Sequence, residues 1–475
     1  MKILLVPSLL VLFSTSLFPQ TLSTLNSESG FNNTSEVNNV NNPCITPLEY
    51  QLLEKQTKDN IKILGLDKVA RKNSYSTTLN WPIRAAAGFE DCDYYFIGAY
   101  VDQNTATGAI QDFDCGSNTY DGHHGTDISE WPFGFYKMDN NLVEVVAAAP
   151  GTIVQKADGN FDRNCSSNNL TANSIIIQHA DGSEALYWHM KSNSVTSKIV
   201  GQTVVAGEYL GVVGSSGSAS GPHLHFEVWS GNSNTTYKDP FSGNCNLLNS
   251  NSWWNAQRPH TNSKVIKVSV NTTDIVLPGC PNTETPNESH SFAIPFQGAG
   301  LNAGYAKFYI FIRDDVAGLT ADCKIKNPNG SVFNSWTYTS TANNKTYIKG
   351  YSKLLPTISG TYSFEATYNG STCSTSFDIT QAVGIASVLD AGQLILFPNP
   401  ANGIINLSGR ILESEKCKLT LSNCIGQVFM ENNYLNISGK HEFILSVSEI
   451  PNGVYFLTCE SGLTKIVKKL IVQNQ

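Results

Sequence analysis

Charge is scarce in this sequence. Asp, Glu, Lys and Arg make up 15% of its 475 residues, against roughly 25% in an average soluble protein. With 41% hydrophobic and 10% aromatic residues the chain has ample apolar material for packed cores, which excludes a highly charged disordered chain. Asn, Ser, Thr and Gly stand in for the missing charge, and they belong to turn-rich β structure more than to long salt-bridged helices. A basic surplus is missing too: the formal net charge of −8 argues against a nucleic-acid partner, whose footprint is a strongly basic domain or stripe. Beyond the first 17 residues no apolar run approaches the roughly 20 that a membrane-spanning helix needs. No cysteines are spaced as CxxC, which removes the zinc-ribbon and dithiol redox readings.

The amino terminus is where apolar residues run together. Met1 and Lys2 precede an apolar stretch from Ile3 to Leu17, interrupted by Pro7 and a few serines, the pattern of a secretory signal peptide over residues 1–20. Eleven cysteines in an exported chain imply disulfides. Cys92 and Cys115 flank one loop, Cys165 and Cys245 bracket the central region, Cys280, Cys323 and Cys373 follow, and Cys417, Cys424 and Cys459 lie in the tail. Spacing does not fix their pairing, and the odd total leaves at least one thiol unpaired. Residues 26–42 are rich in Asn, Ser and Glu and read as a linker. Leu48, Leu52, Leu53, Ile61, Ile63 and Leu64 then recur among charged residues at helical spacing. Thr46, Pro47 and Glu49 form a capping box with proline at the first helical position. Such a helix suits either a pro-segment or a plain structural cap.

From about Leu79 the pattern changes to short strands and Gly-containing turns, with a strand, an ADG turn and a strand over 173–190. After Lys264, runs such as KFYIFIR and GTYSFEATY alternate between turns, as in an immunoglobulin-like sandwich. Another small β-sandwich begins near Ser387. The expected fold is mainly β, with antiparallel sheets. The expected divisions are residues 1–20, a linker and helical pro-segment over 21–80, a strand-rich domain over 81–262, an accessory sandwich over 263–382 and a terminal module over 387–475.

Six of the nine histidines lie between positions 123 and 225. In HHGTD, Gly125 is expected to let the backbone turn tightly enough for His123 and Asp127 to reach one ion. In GPHLHFEV, strand alternation places His223 and His225 on one face. Either motif alone fits a surface pair as well as a metal site. His124 is expected to face solvent and His179 to be structural, with His260, His290 and His441 outside any site; Trp253 and Trp254 read as core.

HHGTD, LYWHM and GPHLHFEV, in that order, resemble the motifs of the lysostaphin and LytM-type zinc metallopeptidases over roughly residues 82–245. The resemblance implies one Zn2+ per catalytic domain held by His123, Asp127 and His225, with His189 and His223 as catalytic histidines. Two histidines and one carboxylate leave a fourth position open for water, the arrangement of a catalytic zinc. It implies hydrolysis of peptide bonds, in peptidoglycan cross-bridges or in Gly-rich extracellular proteins. The competing reading is a non-catalytic LytM-like protein that binds the wall or activates another hydrolase.

LFPNPANGIINLSG, IPNGVYFL and the terminal KIVKKLIV resemble the Por (type IX) secretion sorting domain of Bacteroidetes. That resemblance implies the type IX secretion machinery as a partner, a secreted or cell-surface location outside a Gram-negative cell, and no membrane span in the mature chain.

Overall fold

A computed structural model of the chain describes residues 28–32, 44–68, 77–294, 304–381, 395–461 and 464–474. The expected signal peptide and most of the expected linker lie outside these residues. The chain divides into two compact units, Met1–Thr380 and Gln381–Gln475.

The first unit opens with strand β1 (Glu28–Asn32) and helix α1 (Pro47–Leu64). A sequence read as linker thus supplies a strand, because pairing needs only backbone groups and a sheet edge offers unpaired ones. Helix α1 begins as the capping box foretold: Thr46 Oγ1 accepts from the Glu49 amide at 3.2 Å and the Glu49 carboxylate accepts from the Thr46 amide at 2.8 Å. Gly65, left-handed at φ 69°, ends it.

The strands that follow are β2 (Ile83–Ala85), β3 (Tyr95–Ala99) and β4 (Gly125–Glu130) before the short helix α2 (Gly134–Asp139). After it come β5 (Val143–Val146), β6 (Gly151–Ala157), β7 (Asn173–Gln178), β8 (Glu184–Met190), β9 (Thr203–Val204), β10 (Tyr209–Val212), β11 (His223–Trp229) and β12 (Tyr237–Lys238). The large sheet has the order β3-β4-β11-β8-β7-β6-β9, with β12 also on β11, and a small sheet has the order β10-β5-β2. Their facing sides share one core. Leu224, Phe226 and Val228 of β11, Ala185 and Tyr187 of β8, and Ile175 and Ile177 of β7 meet Ile83, Val143, Val145 and Leu210. The period of two then sends His223, His225, Glu227 and Trp229 to the opposite face.

Helix α1 lies on that opposite face. Leu53 and Ile61, with Ile45, pack on Val154, Ile176, Leu186, Trp188 and Trp229, a burial worth about 1.5–3 kcal/mol for each large aliphatic side chain. Asn60 donates to the Val154 carbonyl at 2.8 Å, and Glu54 accepts from Ser233 Oγ and the Asn234 amide. The buried stripe is Leu53, Thr57 and Ile61 only, while Leu48, Leu52 and Ile63 are exposed. At about 100° per residue these three fall on the far side of the helix, so the apolar face is narrower than the sequence suggests.

The rest of the unit is a sandwich of β13 (Lys264–Asn271), β14 (Ser291–Ile294), β15 (Tyr305–Asp315), β16 (Thr320–Lys326), β17 (Val332–Thr339), β18 (Asn344–Leu354), β19 (Gly360–Tyr368) and β20 (Ser371–Gln381). Its sheets are β1-β18-β15-β13 and β14-β20-β19-β16-β17, closed over Phe308, Ile310, Phe364 and Phe377. Two disulfides, Cys92–Cys373 and Cys165–Cys280, tie it to the histidine-bearing domain, and Cys115–Cys245 lies within that domain. Arg313 crosses the same junction to Asp93 Oδ2 at 3.0 Å and the Tyr95 carbonyl at 3.1 Å.

The second unit is one antiparallel sheet of β21 (Ile395–Phe397), β22 (Ile404–Asn423), β23 (Val428–Ser446), β24 (Gly453–Ser461) and β25 (Thr464–Val472). Strand β22 pairs with β23 along its length, with β21 near its start and with β24 near its end. Ile405, Leu407, Leu419, Leu445, Leu457 and Leu470 form its core. Among the described residues no helix is long and apolar enough to cross a membrane.

Candidate metal centre

The pairing of β4 with β11 sets His225 directly across from Asp127. His225 Nδ1 lies 2.9 Å from Asp127 Oδ1. His123, just before β4, turns Nδ1 to the Tyr100 carbonyl at 2.6 Å. Its Nε2 is thereby fixed 3.2 Å from Asp127 Oδ1 and 3.1 Å from His225 Nδ1. Bonds of about 2.0–2.1 Å in a tetrahedron put ligand atoms about 3.4 Å apart. The three donor atoms therefore converge at nearly the spacing one divalent ion needs, and an imidazole, imidazole and carboxylate set suits zinc.

Neighbouring groups hold these side chains in place. His225 Nε2 faces Glu227 Oε2 at 3.3 Å, and Glu227 is itself bound by Tyr50 Oη at 2.8 Å and Trp229 Nε1 at 2.6 Å. A carboxylate behind a ligating histidine fixes its tautomer and raises its basicity. Burial pushes the Asp127 carboxyl up, but the surrounding His123, His223 and His225 hold it well below the usual range. For His123 burial pushes downward and Asp127 outweighs it, lifting the ring to about 9.

Gly125 serves this site differently from the expected tight turn. It begins β4, and a Cβ there would meet His225 Cε1 at 2.6 Å and Nε2 at 2.7 Å. Its missing side chain makes room for the ring.

His189 and His223 complete the cluster, with ring centroids 4.5 Å apart. His189 donates Nδ1–H to the Ser216 carbonyl at 2.6 Å, and His223 donates to the Gly221 carbonyl at 2.9 Å. Among the described residues neither buried Nε2 has a hydrogen-bond partner, though that of His223 lies 3.7 Å from Asp127 Oδ1. Strict alternation on β8 would send His189 inward with Ala185 and Tyr187. At His189 the backbone instead takes φ 65°, a costly conformation for a non-glycine residue, and the ring comes beside His223 and His225. All five residues singled out in the sequence thus meet in one place.

Two further side chains meet there that the sequence did not mark as site residues. Tyr120 stacks on His123 at 4.2 Å, and its hydroxyl lies 2.6 Å from Cys44 Sγ. Cys44 Sγ and the donor atoms of His123, Asp127 and His225 all lie within 4.8 Å of one another, and the same holds for Cys44, His189 and His223. The odd cysteine count required at least one unpaired thiol, but five are unpaired and nothing in the spacing singled out Cys44. His124 is half-buried, not solvent-facing: it stacks on Tyr237 at 3.9 Å and sets Nδ1 3.8 Å from Glu227 Oε1, drawn in by that buried carboxylate. His179 binds the Pro150 carbonyl, and Trp254 is buried against Trp81 and Phe226.

Residues 123–240 match Peptidase family M23, the LytM-type peptidases, and residues 395–473 match the secretion system C-terminal sorting domain. The chain carries both domains. It is 47% identical over 56 residues to the DD-carboxypeptidase/endopeptidase Mpg of Neisseria meningitidis, covering 12% of each chain. It is 34% identical over 84 residues to the cell division protein DipM of Caulobacter vibrioides, covering 18% of this chain and 13% of that one. The matched segment therefore spans only about an eighth of these curated relatives. Among solved structures, the catalytic domain of the prophage-encoded M23 protein EnpA of Enterococcus faecalis is 25% identical, with 33% of this chain and 92% of that one covered and a TM-score of 0.20.

Proposed function

We propose that the chain is a secreted zinc metalloendopeptidase that hydrolyses peptide bonds, with His123, Asp127 and His225 as zinc ligands and His189 and His223 as catalytic histidines. The observation that carries this reading is the convergence of three donor atoms at 2.9–3.2 Å beside the buried Nε2 atoms of His189 and His223, which have no hydrogen-bond partner among the described residues. When bound, zinc supplies Lewis acidity toward the scissile carbonyl and lowers the pKa of water toward about 7.

The protein's own residues supply the proton handling. His189 and His223 each have Nδ1–H committed to a backbone carbonyl, so each presents the Nε2 lone pair to the site. His223, two residues from His225 on the same strand face, takes the proton of the attacking water as general base. His189, held across from it on β8, hydrogen-bonds the developing oxyanion once protonated.

The matched relative's name, a carboxypeptidase and endopeptidase, supports the peptide cross-bridges of peptidoglycan as substrate, with Gly-rich extracellular protein as the second candidate. The sorting domain supports export through the type IX machinery, so the substrate is met outside the cell. The test is zinc content together with cleavage of peptidoglycan and of a Gly-rich protein by wild type and His225→Ala. About one zinc per wild-type chain, and loss of both zinc and cleavage in the variant, is the expected result. A wild-type protein that binds no zinc and cleaves nothing overturns the reading.

A further inference from the structure

Cys44 stands two residues ahead of the α1 N-cap, Thr46, in no disulfide. Its thiol is set among the very atoms assigned to the metal and to proton transfer. Around it Tyr50 and Tyr237 pack on the cluster formed by Ile45, Leu53, Ile61, Trp188 and Trp229. Two independent features therefore converge. A soft sulfur donor lies within 4.8 Å of every donor atom of the histidine and carboxylate triplet. The helix that follows it covers the same sheet face from β6 to β11, through contacts with Val154, Ile176, Leu186, Trp188 and Trp229.

We propose that Cys44 is a fourth ligand to the catalytic metal and that residues 44–64 form a built-in plug, so that the full chain is held latent. The proposal rests on the metal site argued above. Cys44 loses its thiol proton to solvent, and the thiolate bonds to the ion in the position that water needs. The site becomes a closed set of four protein ligands, Cys44, His123, Asp127 and His225, which is how structural rather than catalytic zinc is held.

Helix α1 adds steric exclusion. A substrate polypeptide that runs along the sheet toward His225 needs the surface under Leu53 and Ile61. Tyr50 ties the plug to the site itself, since its hydroxyl donates to Glu227, the carboxylate behind His225. Activity then requires that the sulfur–metal bond break and that the segment leave. The pro-segment reading of the sequence thereby gains a mechanism, and one of the five unpaired thiols gains a role.

Loading the full chain with Co2+ in place of zinc tests this by absorption. The wild type should take up one Co2+ and show a near-ultraviolet sulfur-to-cobalt charge-transfer band. Cys44→Ser should bind Co2+ without that band, although Cys323, Cys417, Cys424 and Cys459 are still present. The zinc-loaded Cys44→Ser chain should cleave substrate faster than wild type, by about tenfold if the cysteine-held state outweighs the open one by that ratio. One bound Co2+ that is lost in His225→Ala, with no sulfur band in wild type, overturns the Cys44 ligand and leaves the metal site standing. A band that disappears in Cys44→Ser without any gain in cleavage overturns the latency. Absence of Co2+ binding, or binding unaffected by His225→Ala, overturns the metal site and the plug together.

Discussion

Gly125→Ala should disable the site while the fold survives. The added methyl would sit 2.6 Å from His225 Cε1, 2.7 Å from Nε2 and 3.0 Å from the Phe226 carbonyl. Relieving the first contact to an ordinary 3.4 Å requires a shift of about 0.8 Å, and the ring is poorly placed to make it. One nitrogen is held at Asp127 and the other at Glu227, and the carbonyl belongs to the strand that carries the ring. Overpacking of this kind costs about 1–3 kcal/mol, and a reacting group misplaced by about 1 Å costs about 100-fold in rate. Zinc affinity by competition with a chelator, thermal denaturation and peptide cleavage measure the three consequences. Gly88→Ala is the control, because its position has φ 85° and open space around it; it introduces backbone strain at a position adjoining none of the five site residues. If Gly125→Ala kept wild-type zinc affinity and cleavage, the argument that this glycine exists to admit the imidazole would be wrong.

Glu227→Gln keeps the volume but removes the charge behind His225, and zinc affinity should fall about 10–100-fold, read by the same chelator competition. Asp112 accepts from the Asp114, Gly116 and Asn118 amides and from His260 Nε2 at 2.8–3.0 Å. Burial raises its pKa, but these donors prevail and hold it at about 2. With an unfolded value near 3.9, its contribution of about 2 kcal/mol is present above pH ~4 and is lost as pH falls toward ~2. Denaturant titrations should show Asp112→Asn less stable at pH 7 and flatter between pH 4 and 2; an unchanged acid limb would count against the assignment. Cys92→Ser with Cys373→Ser opens a cross-link spanning 281 positions and should cost about 2–5 kcal/mol, seen as a lower Tm.

What the sequence made legible depended on local rules. The capping box at Thr46 and Glu49, the hairpin over 173–190 and the alternation in GPHLHFEV each follow from a spacing of a few residues, and each appears in the structure. The histidines converge because β4 and β11 pair in one register, and the motifs pointed to a common site without stating that register. Gly125 was noticed for the wrong reason. A glycine between two ligands suggests a turn, whereas here it opens space for a ring on the neighbouring strand, a contact about a hundred residues away in sequence. His189 could not be placed by alternation at all, since its positive φ breaks the period of two. Composition misled at Glu28–Asn32, where polar residues pair through their backbone with β18.

Cys44 is the instructive case. In the sequence it is one cysteine of eleven, beside a linker and ahead of a helix whose apolar residues recur at helical spacing. Only the packing shows which stripe of that helix is buried, and the stripe determines where the residues before the N-cap must go. With Leu53, Thr57 and Ile61 turned to the sheet and Asn60 fastened to β6, the chain ahead of Pro47 is directed across β8 and β11 toward the histidines. The three described disulfides account for six other cysteines. Cys323 and Cys459 are each raised to about 12 by burial, which makes them inert thiols within cores. Cys44 differs from them in lying beside nitrogen and oxygen donors able to hold a cation. The same period of two that hides Leu224 and Phe226 in the core therefore builds the metal face and also the floor on which the amino-terminal segment rests. The histidine cluster and helix α1 share one face of the sheet, so under the proposal a substrate must compete with the amino-terminal segment for it.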